Sequence, residues 1–136
     1  MKILVGFLTT PEGRAALDRA AAEAHHHGGT LILVHSMRGG ARDEDEEALA
    51  YADALEEAES RLREDGLAVE VRRLVRGQTP SEDLLDVAKE EDVDLIVIGL
   101  RRRSPVGKLV LGSNAQDILL RADCAVLAVK AHPDEA

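Results

Sequence analysis

The 136-residue sequence predicts an α/β chain built on a doubly wound, five-stranded, mainly parallel sheet, with helices on both faces and strand order 3-2-1-4-5. Three observations lead there. Runs of strand length alternate with segments of helical period in the order βαβαβαβαβ, and such alternation implies right-handed crossovers between parallel strands. Two of the runs, residues 3–8 and 94–99, are almost continuously apolar, as strands covered on both faces must be. Capping threonines, prolines and glycines mark the changes from one element to the next.

Residues 3–8 form the first strand, and Thr10-Pro11 after it supplies a helix cap followed by proline at the first helical position. That helix carries Ala15, Ala16, Ala20 and Ala24. It stops at His25-His26-His27-Gly28-Gly29, with imidazoles in the last turn and glycine beyond. Residues 30–34 are the second strand, and residues 38–42 have the composition of a loop. Residues 43–65 form a long amphipathic helix whose apolar stripe is Leu49, Ala52, Leu55, Ala58 and Leu62. Its acidic face, including Glu46, Asp53, Glu56 and Glu57, is expected to be solvated. Gly66 ends it. Leu67, Val69 and Val71 then alternate with Ala68, Glu70 and Arg72, the pattern of a half-exposed edge strand. Thr79-Pro80-Ser81-Glu82 combines a cap, a first-position proline and a glutamate placed to bond back, marking the third helix. Residues 94–99 are the central fourth strand, residues 113–121 a short helix and residues 124–130 the fifth strand. The whole reads as one domain over 1–136, with 131–136 as a flexible tail.

A net charge of −9, from 26 acidic against 17 basic side chains, argues against general affinity for nucleic acid or anionic membrane. The first ten residues lack the length and cleavage chemistry of a signal peptide, and no apolar run approaches the roughly 20 residues a membrane span needs. A cytoplasmic protein is expected. Cys124, the one cysteine, has no internal disulfide partner and is read as a small core residue. Of the 17 basic residues 13 are Arg; a salt-adapted, halophilic organism and a single acidic helix in an ordinary cytosol explain this acidic, lysine-poor balance equally well.

Residues 99–113 read GLRRRSPVGKLVLGS, with three glycines and three consecutive arginines leading into a helix at Ser113. Helix amino ends attract phosphate, and glycine lets the backbone come close. The alternative is structural: Ser113 and Gln116 form a capping box, Gly99 makes a turn and the arginines are solvated. Position favours the anion site, because ligands in doubly wound sheets bind beyond the carboxyl ends of the strands where the winding reverses. The loops after Leu8 and Gly99 then face each other. A P-loop is excluded, since Arg102 stands where that pattern needs glycine and Leu109 where Ser or Thr would hold magnesium. Three consecutive histidines on a helix point about 100° apart, so no metal is expected there. A receiver domain would need an acidic acceptor where Leu8 stands. No histidine or carboxylate between Gly99 and Ala115 offers a general base, and Asp117 is read as a surface charge. Binding and regulation are expected rather than an enzyme, with at most slow hydrolysis.

In these residues the sequence resembles the universal stress protein family, from Lys2 to about Lys130, and with it the adenine nucleotide alpha hydrolase-like fold. Nucleotide-binding members carry G-x2-G-x9-G-[ST] after the fourth strand. Gly99, Gly112 and Ser113 match its first, third and last positions, and Arg102 replaces the second glycine. The resemblance implies ATP or AMP as ligand, bound by Leu8, Thr9, Val34, Gly99, Arg101, Arg102, Gly112, Ser113 and Asn114. Members that bind ATP typically end the first strand in an aspartate, and spacing puts Leu8 at that position. Losing a polar contact costs on the order of a kcal/mol, which an arginine near phosphates can offset; Arg102 either fills the phosphate space or binds the phosphates. The closing segment, GSNAQDILLRADCAVLAVK, is similar to the family's last helix and dimer-forming strand. An apolar edge strand is normally paired, so a homodimer through Ala125, Val126, Leu127, Ala128 and Val129 is expected. Two functions follow. One is a non-catalytic stress-response regulator that binds an adenine nucleotide, or a related phosphate ligand, and so changes its affinity for an unknown regulatory protein. The other is a member that has lost nucleotide binding and acts through protein contacts alone.

Overall fold

The computed structural model describes residues 1–37, 46–103 and 108–131, with the backbone alone for 46–48, 102–103 and 108–110. The expected loop at 38–42, the helix start at 43 and the tail beyond Ala131 lie outside the described residues. The elements are β1 (Lys2–Gly6), α1 (Pro11–His27), β2 (Thr30–Met37), α2 (Glu46–Glu64), β3 (Ala68–Val75), α3 (Pro80–Glu90), β4 (Leu95–Arg103), β5 (Lys108–Val110), α4 (Ser113–Arg121) and β6 (Ala125–Lys130). β1, β2, β3, β4 and β6 pair in parallel in the order β3-β2-β1-β4-β6. That is the expected order, with β6 as the fifth parallel strand. One feature is added: β4 runs past Gly99 to Arg103, and its end pairs antiparallel with β5, Arg101 opposite Val110 and Arg103 opposite Lys108. Part of the segment read as a loop is therefore a hairpin, which three consecutive arginines, lacking any apolar alternation, did not signal.

Alternation along the strands divides the core into two layers. Ile3, Val5, Leu31, Leu33 and Val97 meet α1 and α2 through Leu17, Ala20, Leu55 and Leu62. Leu4, Ile32, Val34, Ile96 and Ile98 meet α3 and α4 through Leu84, Val87 and Ile118. Each such side chain contributes about 1.5–3 kcal/mol, against at most about 1 for a surface ion pair. The layers rather than pairs such as Arg72–Glu91 at 3.0 Å or Arg76–Glu90 at 3.2 Å therefore hold the sheet together.

The punctuation does what its chemistry requires. Thr10 Oγ1 accepts from the Gly13 N–H, Thr79 and Glu82 form the reciprocal capping box, and Gly28 closes α1 at φ 67. The stripe of α2 is shorter than expected: Leu55, Ala58 and Leu62 are buried, but Leu49 is 63% exposed, and the helix first meets the sheet side at Tyr51. β3 is the half-exposed edge its alternation predicts. Cys124 is half-buried against the α3–α4 layer, and burial pushes its thiol up. Among the described residues no helix is long and apolar enough to cross a membrane.

Candidate functional site at the carboxyl end of the sheet

In a parallel sheet of this order the connections after β1 and β4 lie side by side. β1 ends at Gly6 rather than at Leu8. Phe7 stays buried and donates its N–H to the Val34 carbonyl at 2.8 Å, while Leu8 is 49% exposed. Val34 is buried, so its side chain belongs to the core. The Thr9 carbonyl accepts from the Arg14 guanidinium at 3.1 Å. Gly13 permits this connection to fold back, because a Cβ there would lie 2.5 Å from Leu8 Cβ.

Gly99 is not a turn residue. It sits within β4 opposite Val129 of β6, and a Cβ on it would lie 2.1 Å from the Glu12 carbonyl oxygen. Its missing side chain is what lets the first turn of α1 rest on the end of β4. Two residues on, Arg101 Nε approaches Glu12 Oε1 at 3.6 Å. This pair spans the gap between the two connections, and with Arg101 largely exposed its strength is that of a surface ion pair. Of Arg102 only the backbone is described, so the expected role of its guanidinium lies outside the described residues.

The start of α4 lies at the same end of the sheet. Its cap residue is Gly112, at φ −65 and ψ 163, and among the described residues no side chain caps the helix. The box that the structural alternative placed between Ser113 and Gln116 does not form, because Ser113 is already the first helical residue; the Gln116 N–H bonds the Gly112 carbonyl at 2.9 Å. The first N–H groups of a helix, here those of Ser113, Asn114 and Ala115, have no intrahelical acceptor. A Cβ on Gly112 would meet nothing within 4 Å among the described residues. Among the described residues, neither packing nor backbone strain accounts for glycine at that position.

α4 is tied to α3 by bonds that sequence reasoning missed. Ser81, wholly buried, donates its N–H to Asn114 Oδ1 at 3.2 Å and its hydroxyl to Asp117 Oδ2 at 3.1 Å. Asp117 is therefore a tether between helices and not the plain surface charge expected. Next to it, buried Asp83 accepts from Ser36 Oγ and from Gln78 Nε2, the latter at 2.7 Å.

On the other face α2 reaches the connection after β1. The Tyr51 hydroxyl donates to the Phe7 carbonyl at 2.8 Å, its ring meets Phe7 edge-on at 5.5 Å, and it stacks on His35 at 4.6 Å. Burial pushes the Tyr51 phenol up, against a smaller downward effect of a hydrogen bond with the Thr9 backbone. Phe7 and Tyr51 are the chain's only Phe and Tyr, and that scarcity was the signal available.

Leu8 and Thr9 on the connection after β1, Gly99 and Arg101 in the last part of β4, and Gly112, Ser113 and Asn114 at the start of α4 thus lie towards one end of the sheet. Ala125 to Val129 lie instead along β6, at an edge, with Ala125 and Ala128 exposed and Val126, Leu127 and Val129 partly buried. Among the described residues no cluster of His, Cys, Asp and Glu could hold a metal ion.

Comparison with known proteins adds three findings. The model of the universal stress protein family matches residues 1–130. A universal stress protein of Mycolicibacterium smegmatis is 38% identical over 130 residues, covering 96% of this chain and 98% of that protein. Among solved structures, a universal stress protein from Archaeoglobus fulgidus aligns at TM-score 0.81 and 40% identity, and one from the same organism in complex with dAMP at 0.77 and 35%. Each covers 96% of this chain and 98% of the other.

Proposed function

The chain belongs to the universal stress protein family, and from that premise we propose that it binds an adenine nucleotide, ATP or AMP, at the carboxyl end of its sheet. The observation that carries the reading is the start of α4: among the described residues, no side chain caps the helix after Gly112 and none occupies the space where a Cβ on it would be. The dAMP held by the archaeal relative supports the ligand class. Each charge-assisted bond from an N–H to phosphate is worth about 1.5–3 kcal/mol. Two of them outweigh the roughly 1 kcal/mol lost where Leu8 replaces a carboxylate.

The site binds rather than reacts. The carboxylate that reaches the gap is Glu12, and it is engaged with Arg101. Nucleotide then acts as a signal that alters affinity for a regulatory protein in the cytoplasm, and the working unit is a homodimer paired along β6. Leu8, apolar and half exposed, favours the second reading, a member that acts through protein contacts alone.

Calorimetric titration of ATP and AMP separates the two. A saturable signal in the parent, weakened and less salt-dependent in Arg102→Ala, is the expected result. A silent parent in which Arg102→Gly creates affinity identifies Arg102 as a block. No heat in the parent, in either variant or in the Leu8→Asp, Arg102→Gly double variant removes nucleotide from the account.

A further inference from the structure

Hydrogen-bond directions along the sheet decide which main-chain groups of the edge strand β3 are left open. In a parallel ladder a residue's N–H and C=O point to one side and those of the next residue to the other. Thr30 donates its N–H to the Met1 carbonyl and the Val34 carbonyl accepts from Phe7, so Thr30, Ile32 and Val34 face β1 while Leu31 and Leu33 face β3. Leu31 stands beside Val69 and Leu33 beside Val71. In a parallel pair each bonds the residues that flank its neighbour, here Ala68, Glu70 and Arg72. Val69, Val71, Arg73 and Val75 therefore turn their main-chain groups away from the sheet. A bond on that side agrees: Arg63 Nη2 donates to the Val69 carbonyl at 2.6 Å. Arg63 covers that one acceptor, and among the described residues nothing covers the groups of Val71, Arg73 and Val75.

The side chains on this stretch are spaced to receive a further strand. Val71 packs partly against the α1–α2 layer and Leu74 lies in the α3–α4 layer, so by alternation Val71, Arg73 and Val75 share the α2 face. Val75 is 57% exposed. Charges commonly guard an open edge, but Arg72 and Arg76 are held to the end of α3 by Glu91 and Glu90, at 3.0 and 3.2 Å. Arg73 is exposed and makes no ion pair among the described residues. We propose that the edge of β3 from Val71 to Val75 is a docking site for an extended segment of a partner protein, which adds a strand to the sheet and sets an acidic side chain opposite Arg73 between two apolar ones opposite Val71 and Val75. In strand addition the main-chain bonds supply affinity and alternate side chains supply specificity. A row of valine, arginine and valine is complemented across the strands by apolar, acidic and apolar residues, and being symmetric it accepts either strand direction. Arg63 marks where the added strand must stop. The site lies at the edge opposite β6, so a dimer paired along β6 leaves it open.

Amide hydrogen exchange on 15N-labelled protein reads the edge directly. The N–H groups of Val71, Arg73 and Val75 should exchange faster than those of Glu70, Arg72 and Leu74, and the reverse order would overturn the assignment of the open side. The probe is a peptide blocked at both ends, Thr-Val-Thr-Glu-Thr-Val-Thr. Its titration should shift the Val71, Arg73 and Val75 amide signals and slow their exchange. Replacing its Glu by Lys should weaken binding to the parent about fivefold, the worth of one cross-strand charge pair. Arg73→Glu should invert that preference, the Lys peptide then binding the more tightly. β3 signals unmoved by the Glu peptide at millimolar concentration, or Glu and Lys peptides that bind the parent equally, would overturn the proposal. Shifts of the same amides with protein concentration alone would assign the edge to a second copy of the chain and overturn it as well.

Discussion

Gly99 and Gly112 fill equivalent letters of one motif for different physical reasons. The first is demanded by packing, because a Cβ would collide with the Glu12 carbonyl; at the second, whose φ is unstrained, a Cβ would meet nothing among the described residues. Sequence shows both as glycine and cannot tell contact with the protein's own backbone from room for a ligand. Tyr51 makes a residue-scale prediction, since it is the only tyrosine in a chain without tryptophan. Burial raises its phenol above the ordinary value of about 10. The folded chain then holds its proton more tightly than the unfolded one. The associated stability is fully present below about pH 10 and is lost as pH rises through the folded-state value. Tyrosinate absorbance should therefore appear at higher pH in native protein than in protein unfolded by denaturant, and coincident titrations would show that the Tyr51–Phe7 contact is not formed.

Elements announced by local chemistry were legible. Thr10, Thr79 and Gly28 act through atoms within a few residues of themselves, so their caps can be read from the chain and recur in the structure. The β4–β5 hairpin and the tether from Ser81 to Asn114 and Asp117 were not legible. One pairs a charged run that lacks a strand pattern, and the other joins groups 33 and 36 residues apart. The site residues matched by the family motif were legible as letters, whereas Glu12 and Tyr51 act on the connection after β1 only because the fold brings α1 and α2 to it. β6 carries its own prediction: an apolar strand at the sheet edge should pair with a second copy in the closed symmetry usual for soluble oligomers. Leu127 also packs on the α1 side of the core, so the informative change is at exposed Ala128. Light scattering should find a dimer for the parent and a monomer for Ala128→Asp with its cooperative melting retained. A monomeric parent, or a variant dimer as tight as the parent's, would count against pairing through β6.

At the scale of the whole molecule, the order of strands and helices was readable because the buried strands are continuous apolar runs separated by segments of helical period. The strand order then decides function by placement. It sets the connections after β1 and β4 together and brings the start of α4 to the same end of the sheet. A chain of net charge −9 repels anions at long range, so any phosphate affinity must come from local donors. The central claim is that a nucleotide binds at that end, and the most direct measurement is a crystal structure grown with AMP. The account predicts the phosphate within hydrogen-bonding distance of the Ser113 and Asn114 N–H groups, with the purine between the connections after β1 and β4. AMP seated elsewhere, or absent from that end of the sheet at saturating concentration, would contradict it.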